Sequence, residues 1–292
     1  MTTGYLERLA ARTAAVGSVL CLGLDPDPAA LPDGFSADLD GVERFATLIV
    51  EAAGPYAAAI KPNLAFYESH GAAGMAALER IRARVPSGIP VVMDAKRGDI
   101  GTTATHHAAA LFDRLGADAV TVSPYPGSEA LAPLLARGDR FAYVLCRTSN
   151  PGAAEFQNLV VAPDSELGAP AEPLHLRVAR RAATWGPGGT VGLVVGATAP
   201  AELAAIRAVA PGLAFLVPGV GAQGGEIEPV LRDGPAIAPP AGHGVGGGLL
   251  VNVSRGISAA ALHGGGEARR GDPGERLAEA ARDWASRLPV LP

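Results

Sequence analysis

Eight short apolar runs, each closed by a polar or small residue and followed by a helix-like stretch, recur along the chain and constrain its fold more than any other feature. They fall at residues 18–24, 57–60, 89–93, 117–122, 141–145, 191–195, 214–217 and 249–253. The runs do not alternate polar with apolar as a strand with one wet face does, so each reads as a strand buried on both sides. Helices are expected after them at 39–53, 74–85, 105–115, 127–135, 173–185, 201–209, 226–232 and 273–288, with a further amphipathic helix at 5–16 ahead of the first strand. Strand-then-helix units without a linker-like stretch between them predict one (β/α)8 TIM barrel over residues 1–292, its first helix covering one end.

The strand ends carry the chemistry. Asp25 closes the first run and Lys61 the second, while the third runs into Asp94, Lys96, Arg97 and Asp99 within VVMDAKRGDIGTT. Two residues apart on an extended strand, Asp94 and Lys96 share a face. Inside a barrel, burying them costs several kcal/mol per charge, roughly, unless each is paired and hydrogen-bonded. A weak surface ion pair is the plain alternative, but Asp25 and Lys61 end the adjacent strands, so two carboxylates and two ammonium groups can alternate around one mouth. Such a fixed field suits a reaction in which charge moves, and a lysine can also donate a proton.

On the other side of the ring, PGVGAQGG after the seventh run and NVSRGI after the eighth are glycine turns rich in backbone amides. Arg255 adds a guanidinium beside Gly256, and Gln223 a neutral donor and acceptor. The turns after strands seven and eight are where barrels commonly bind phosphate. Two segments fit no unit. Residues 155–174 exceed an ordinary strand-to-helix connection and suggest a lid or insertion over the site, with a short strand near 159–162. Residues 235–248, with GHGVGGG, lack the GK[ST] ending of a nucleoside-triphosphate loop and read as a flexible surface loop.

Composition removes several classes. A net charge of −5, with 18% charged residues and no basic run, gives no support to nucleic-acid binding. Cys21 and Cys146 sit in apolar runs like buried small hydrophobes, and the histidines form no metal-ligand pattern, so neither metal nor cofactor is expected. The first residues lack a signal-peptide core and no apolar stretch is long enough to span a bilayer, so a cytoplasmic protein without membrane contact is expected.

DAKRGDI at 94–100, together with Thr103, resembles the D-x-K-x-x-D-I/V signature of orotidine 5′-phosphate decarboxylases. LCRTSNPGA and LLVNVSRGI resemble the longer bacterial (type 2) branch, and the likeness covers nearly the whole chain. The resemblance implies a cofactor-independent enzyme that converts orotidine 5′-monophosphate to uridine 5′-monophosphate, the last step of de novo UMP synthesis. It implies that Asp25 binds the ribose and that Lys61, Asp94 and Lys96 build the charged network at C6 of the pyrimidine, with Lys96 protonating the carbanion. It further implies that Asp99 and Thr103 reach into the neighbouring subunit's site of a homodimer, that Ser149 contacts the pyrimidine edge, and that Gln223 and Arg255, with Gly256, lie at the phosphate. Two alternatives remain: another phosphate-sugar barrel enzyme, such as a metal-dependent decarboxylase or an epimerase, and a non-catalytic nucleotide-binding barrel.

Overall fold

The computed structural model describes residues 3–221, 223–262 and 272–291. Strands β1 (Leu20–Leu24), β2 (Ala59–Pro62), β3 (Val92–Arg97), β4 (Ala119–Val122) and β5 (Phe141–Arg147) come first. A two-stranded hairpin of β6 (Val160–Val161) and β7 (Glu172–Pro173) intervenes before β8 (Val191–Val195), β9 (Ala214–Val217) and β10 (Leu250–Val253). All but β6 and β7 lie in one parallel sheet of order β2-β1-β10-β9-β8-β5-β4-β3. Parallel bridges from Ile60 to Val91 and from Asn63 to Asp94 join its two ends and close the ring. The fold is therefore the expected TIM barrel, and its closing seam lies between the strands that carry Lys61 and Asp94.

Side chains alternate between two apolar layers, because successive residues of a strand point to opposite faces. Cys21, Ala59, Val92, Ala119, Tyr143 and Leu250 are among those that fill the barrel interior, while Leu22, Ile60, Met93 and Val120 face the surrounding helices. The helix Tyr5–Val16 covers the end where the strands begin. Its Tyr5 ring stacks on Phe141 with centroids 4.8 Å apart, and its hydroxyl meets that of Tyr143 at 3.1 Å. Gly17 ends this helix in the left-handed region, φ 66°, and donates its N–H to the Thr13 carbonyl, a stop that glycine makes without steric cost. With that end plugged, the open mouth is at the strands' C-terminal ends.

The two segments that fitted no unit take defined paths. The 155–174 stretch forms the β6–β7 hairpin and leads into the helix Leu174–Ala182. Glu172, 4% exposed, accepts from Arg177 at 3.0 Å and Arg180 at 2.9 Å, which ties the hairpin to that helix. The 235–248 stretch lies at the plugged end, away from the mouth. Ala236 and Ala241 pack into the interior cluster with Tyr5 and Leu9, and the Ala241 N–H reaches the Gly212 carbonyl at 3.1 Å. The expected helix at 105–115 also differs in detail: Gly101–Ala108 is followed by a wider turn over Ala109–Arg114, where the Leu115 N–H bonds back to Ala110. Among the described residues no helix is long and apolar enough to cross a membrane.

Candidate active site

At the closing seam, Lys61 extends from β2 with its side chain 5% exposed, and its Nζ donates to Asp94 Oδ2 at 2.8 Å. Lys96 Nζ donates to the other carboxylate oxygen, Asp94 Oδ1, at 2.6 Å, and its side chain is 51% exposed toward the mouth. One carboxylate thus separates two ammonium groups, one buried and one facing a ligand space. Burial works against the Asp94 charge, but the attraction of Lys61 and Lys96 outweighs it and holds the carboxyl well below the ordinary carboxylate range. Burial likewise lowers the Lys61 pKa, yet Asp94 and then Asp25 overcome that loss and raise it above the usual lysine value. Beneath them, burial pushes the Cys21 thiol up to about 12, against the attraction of Lys61, so it is an inert member of the interior cluster.

The extended-strand account of the Asp94–Lys96 pair needs correction. Val92 and Met93 pair in register with Ala119 and Val120, but the next match is Arg97 with Val122, so β3 bulges over Asp94–Lys96. Lys96 has φ 48°, the one positive value among the described non-glycine residues, a conformation costing on the order of 1–3 kcal/mol. The two charges meet because the strand buckles toward the mouth. Thr121 of β4, 1% exposed, supports the bulge: its Oγ1 accepts from the Ala95 and Lys96 N–H groups, both at 3.0 Å, and donates to Asp94 Oδ1 at 2.9 Å.

A cavity of about 270 Å³ opens over this array. Lys61, Asp94, Lys96 and Thr121 line one side, and Thr148, Ser149, Asn150 and Gln223 another, with Leu145, Val194, Leu216 and Pro218 supplying apolar wall. Ser149 and Gln223, on loops after β5 and β9, come together at Gly219: a Cβ there would lie 3.0 Å from both Ser149 Cβ and Gln223 Oε1. The Ser149 loop is clamped from the insertion, since Gln157 accepts from Thr148 N–H at 2.9 Å and donates to its hydroxyl at 2.8 Å. Asp25 stands close enough to Lys61 to raise its pKa, and its Oδ1 is buried without a hydrogen-bond partner among the described residues. Asn252 Oδ1 and Ser254 Oγ share that condition, giving the β1–β10 edge of the mouth a set of unanswered polar atoms, and a Cβ on Gly23 of β1 would lie 3.2 Å from Asn252 Oδ1 and 2.6 Å from Ser254 Cβ. Among the described residues, no group of three or more His, Cys, Asp or Glu is placed to hold a metal ion.

The remaining sequence-derived candidates lie outside the cavity lining. Arg255 begins the short helix Arg255–Ser258, is exposed, and forms no ion pair among the described residues. Trp284, from the closing helix Pro273–Arg287, packs under both glycine turns: a Cβ on Gly221 or on Gly256 would come within 2.9 Å of its ring. Its Nε1 donates to the Gly256 carbonyl at 3.1 Å, so the glycines let an indole brace the two turns. Among the described residues Asp99 Oδ1 accepts only locally, from the Ile100 N–H at 2.7 Å, and Thr103 is exposed at the first turn of the next helix. Sequence reasoning passed over Thr121, Gln157 and Asn252. Thr121 and Asn252 are each the sole polar residue in an otherwise apolar strand, which was the available signal; Gln157 had none.

Fold and mouth together are those of a TIM-barrel enzyme, with charged side chains on one half of the ring and glycine turns on the other. The model of the orotidine 5′-phosphate decarboxylase / HUMPS family matches residues 18–270, and the chain belongs to that family. An orotidine 5′-phosphate decarboxylase of Thermomicrobium roseum is 47% identical over 287 residues, covering 97% of this chain and 93% of that protein. One from Halorubrum lacusprofundi is also 47% identical, covering 97% and 96%. The solved OMP decarboxylase of Leishmania donovani superposes with a TM-score of 0.77 at 38% identity, covering 97% of this chain and 96% of that one. End-to-end matches at this length are those of the family's longer branch.

Proposed function

We propose that the chain decarboxylates orotidine 5′-monophosphate to uridine 5′-monophosphate and carbon dioxide, in the cytoplasm and without a cofactor. The observation that carries this reading is the Lys61–Asp94–Lys96 chain, with 2.8 and 2.6 Å links, at the open end of the barrel. When the bond from C6 to the carboxylate breaks, its electron pair stays on C6, where no neighbouring group can delocalise it. The Lys96 ammonium stabilises that charge and then gives C6 a proton, recovering one from water afterwards. Asp94 directs both ammonium groups and sets negative charge near the departing carboxylate, while Lys61 keeps Asp94 ionised. Asp25 takes the ribose, Ser149 the pyrimidine edge, and Gln223, Arg255 and Gly256 the phosphate, with the 155–174 insertion as lid. The test is loss of the substrate chromophore with matching carbon dioxide release by the purified protein, before and after exhaustive chelation. Binding of uridine monophosphate without turnover, or activity lost on chelation, overturns the reading.

Arg255 grips the phosphate in this scheme, through a bidentate, charge-assisted contact remote from the breaking bond. Its binding energy then serves both affinity and closure. Arg255→Ala lowers kcat/KM for the nucleotide by about 10²-fold or more, and the slow reaction of the unphosphorylated nucleoside far less. Equal losses on the two substrates place Arg255 elsewhere.

The active assembly is a homodimer in which Asp99 and Thr103 complete the neighbouring subunit's site. Supporting this are the exposed Thr103, the 62% exposed Ile100 beside Asp99, and the absence of any Asp99 ion pair among the described residues. Lys96→Ala and Asp99→Ala proteins, each inactive alone, regain activity when mixed, since one site of the mixed dimer holds every native group. No recovery despite demonstrated subunit exchange assigns Asp99 to its own chain.

A further inference from the structure

Between Met93 and Arg97 the bulged strand advances four residues while its neighbour advances two, from Val120 to Val122. The N–H groups of Ala95 and Lys96 therefore lose the ladder carbonyls that a regular parallel strand would offer, and buried amides need acceptors. Thr121 Oγ1 takes both, at 3.0 Å each. A hydroxyl has two acceptor positions and one hydrogen. With the two amides in place, that hydrogen is committed to Asp94 Oδ1 at 2.9 Å, the same oxygen that Lys96 Nζ reaches at 2.6 Å.

One oxygen atom thus holds the backbone of Lys96 and the carboxylate to which its side chain is tethered. We propose that Thr121 is a positioning residue for Lys96: its hydroxyl fixes the left-handed backbone and the carboxylate that together aim the ammonium into the cavity. This rests on the role given to Lys96 above. Among the described residues no other acceptor holds the Lys96 N–H, so without the hydroxyl a lysine at φ 48° relaxes toward the ordinary extended or helical regions. The β-branched side chain, 1% exposed, keeps χ1 fixed, so the hydroxyl is delivered at one angle. Thr121 also borders the cavity, but its hydrogen-bonding capacity is used inside the protein, so it acts through Lys96 and Asp94 and not on a ligand.

The experiment compares Thr121→Val, which keeps the shape and removes the hydroxyl, with Thr121→Ser, which keeps the hydroxyl. Steady-state kcat and KM on orotidine 5′-monophosphate, affinity for uridine monophosphate and thermal melting are read for each. In Thr121→Val kcat falls by about 10²-fold, the scale of an ångström's misplacement of a reacting group. KM and product affinity stay within about threefold, and Thr121→Ser restores kcat to within about fivefold of the parent. A valine variant with unchanged kcat, a loss confined to KM, or a serine variant as impaired as the valine one overturns the proposal. If the valine variant does not fold, Thr121→Cys replaces it, and equal kcat in the cysteine and serine variants is the overturning result. Lys96→Ala separates the two readings. Retained turnover in that variant removes the role of Lys96 and this inference with it, whereas an inactive Lys96→Ala beside a normal Thr121→Val removes this inference alone.

Discussion

Lys96→Ala eliminates decarboxylation, by at least about 10³-fold in kcat, while the protein stays folded. The two halves of that outcome have separate physical causes. Catalysis fails because, among the described residues, Lys96 carries the one ammonium lining the cavity that is both held by a carboxylate and well exposed; Lys61 also borders the cavity, but its side chain is only 5% exposed. Folding survives because the Lys96 side chain is 51% exposed and its loss leaves no buried group without a partner. Replacing the residue also leaves Thr121 bonded to the same backbone N–H, so the bulge keeps its support. Single-turnover measurements together with a melting curve check both halves. Near-parental turnover in a folded Lys96→Ala protein sinks the mechanism.

Asp94→Asn has the opposite profile, losing stability as well as turnover. The substitution keeps the shape but leaves Lys61 buried with its nearest counter-charge gone, and truncating one side of a buried pair costs about 3–5 kcal/mol. Asp25 still faces Lys61, which favours the lower end of that range. The pH dependence identifies the cause. A carboxyl whose folded-state pKa is depressed contributes its stability above the unfolded value of 3.8, and loses it as pH falls through the folded value. A lysine whose folded-state pKa is raised contributes below the unfolded value of 10.5, and loses it as pH rises through the folded value. The gap in unfolding free energy between parent and Asp94→Asn is therefore flat through neutral pH and narrows below pH 3.8. A gap that persists unchanged into acid shows that packing, not charge, sets the cost. Turnover falls by at least about 10²-fold because both ammonium groups lose their director.

The sequence marked the strands because a parallel strand buried on both faces must be apolar at every position. That requirement is local and needs no knowledge of partners. It located Leu20–Leu24, Val191–Val195 and Ala214–Val217 closely, and counting the strand-helix units gave the barrel. Lys61 and Asp94 were legible for the same reason, since a charge at the end of an apolar run has no solvent-facing alternation to explain it. The hairpin at Val160–Val161 and Glu172–Pro173 was only partly legible, because two-residue strands carry almost no periodic signal and this pair is fixed by Glu172 reaching arginines on the next helix.

What the sequence determined, then, was which residues are buried in strands and which charged groups those strands deliver to one end of a ring. Both follow from the hydrophobic pattern and from chain direction, and both are properties of each segment taken alone. Tertiary structure decided how the delivered groups are aimed. Sequence spacing put Asp94 and Lys96 on one face of a straight strand; in the fold they pair across a bulge that exists because Thr121, 25 residues further on from Lys96, accepts the displaced amides. Likewise the glycines after β9 and β10 announced turns, but only the packed helix Pro273–Arg287 supplies the Trp284 ring that requires Gly221 and Gly256 to lack a side chain. Contacts between distant segments depend on register and on close approach, and neither is encoded in the local run of residues.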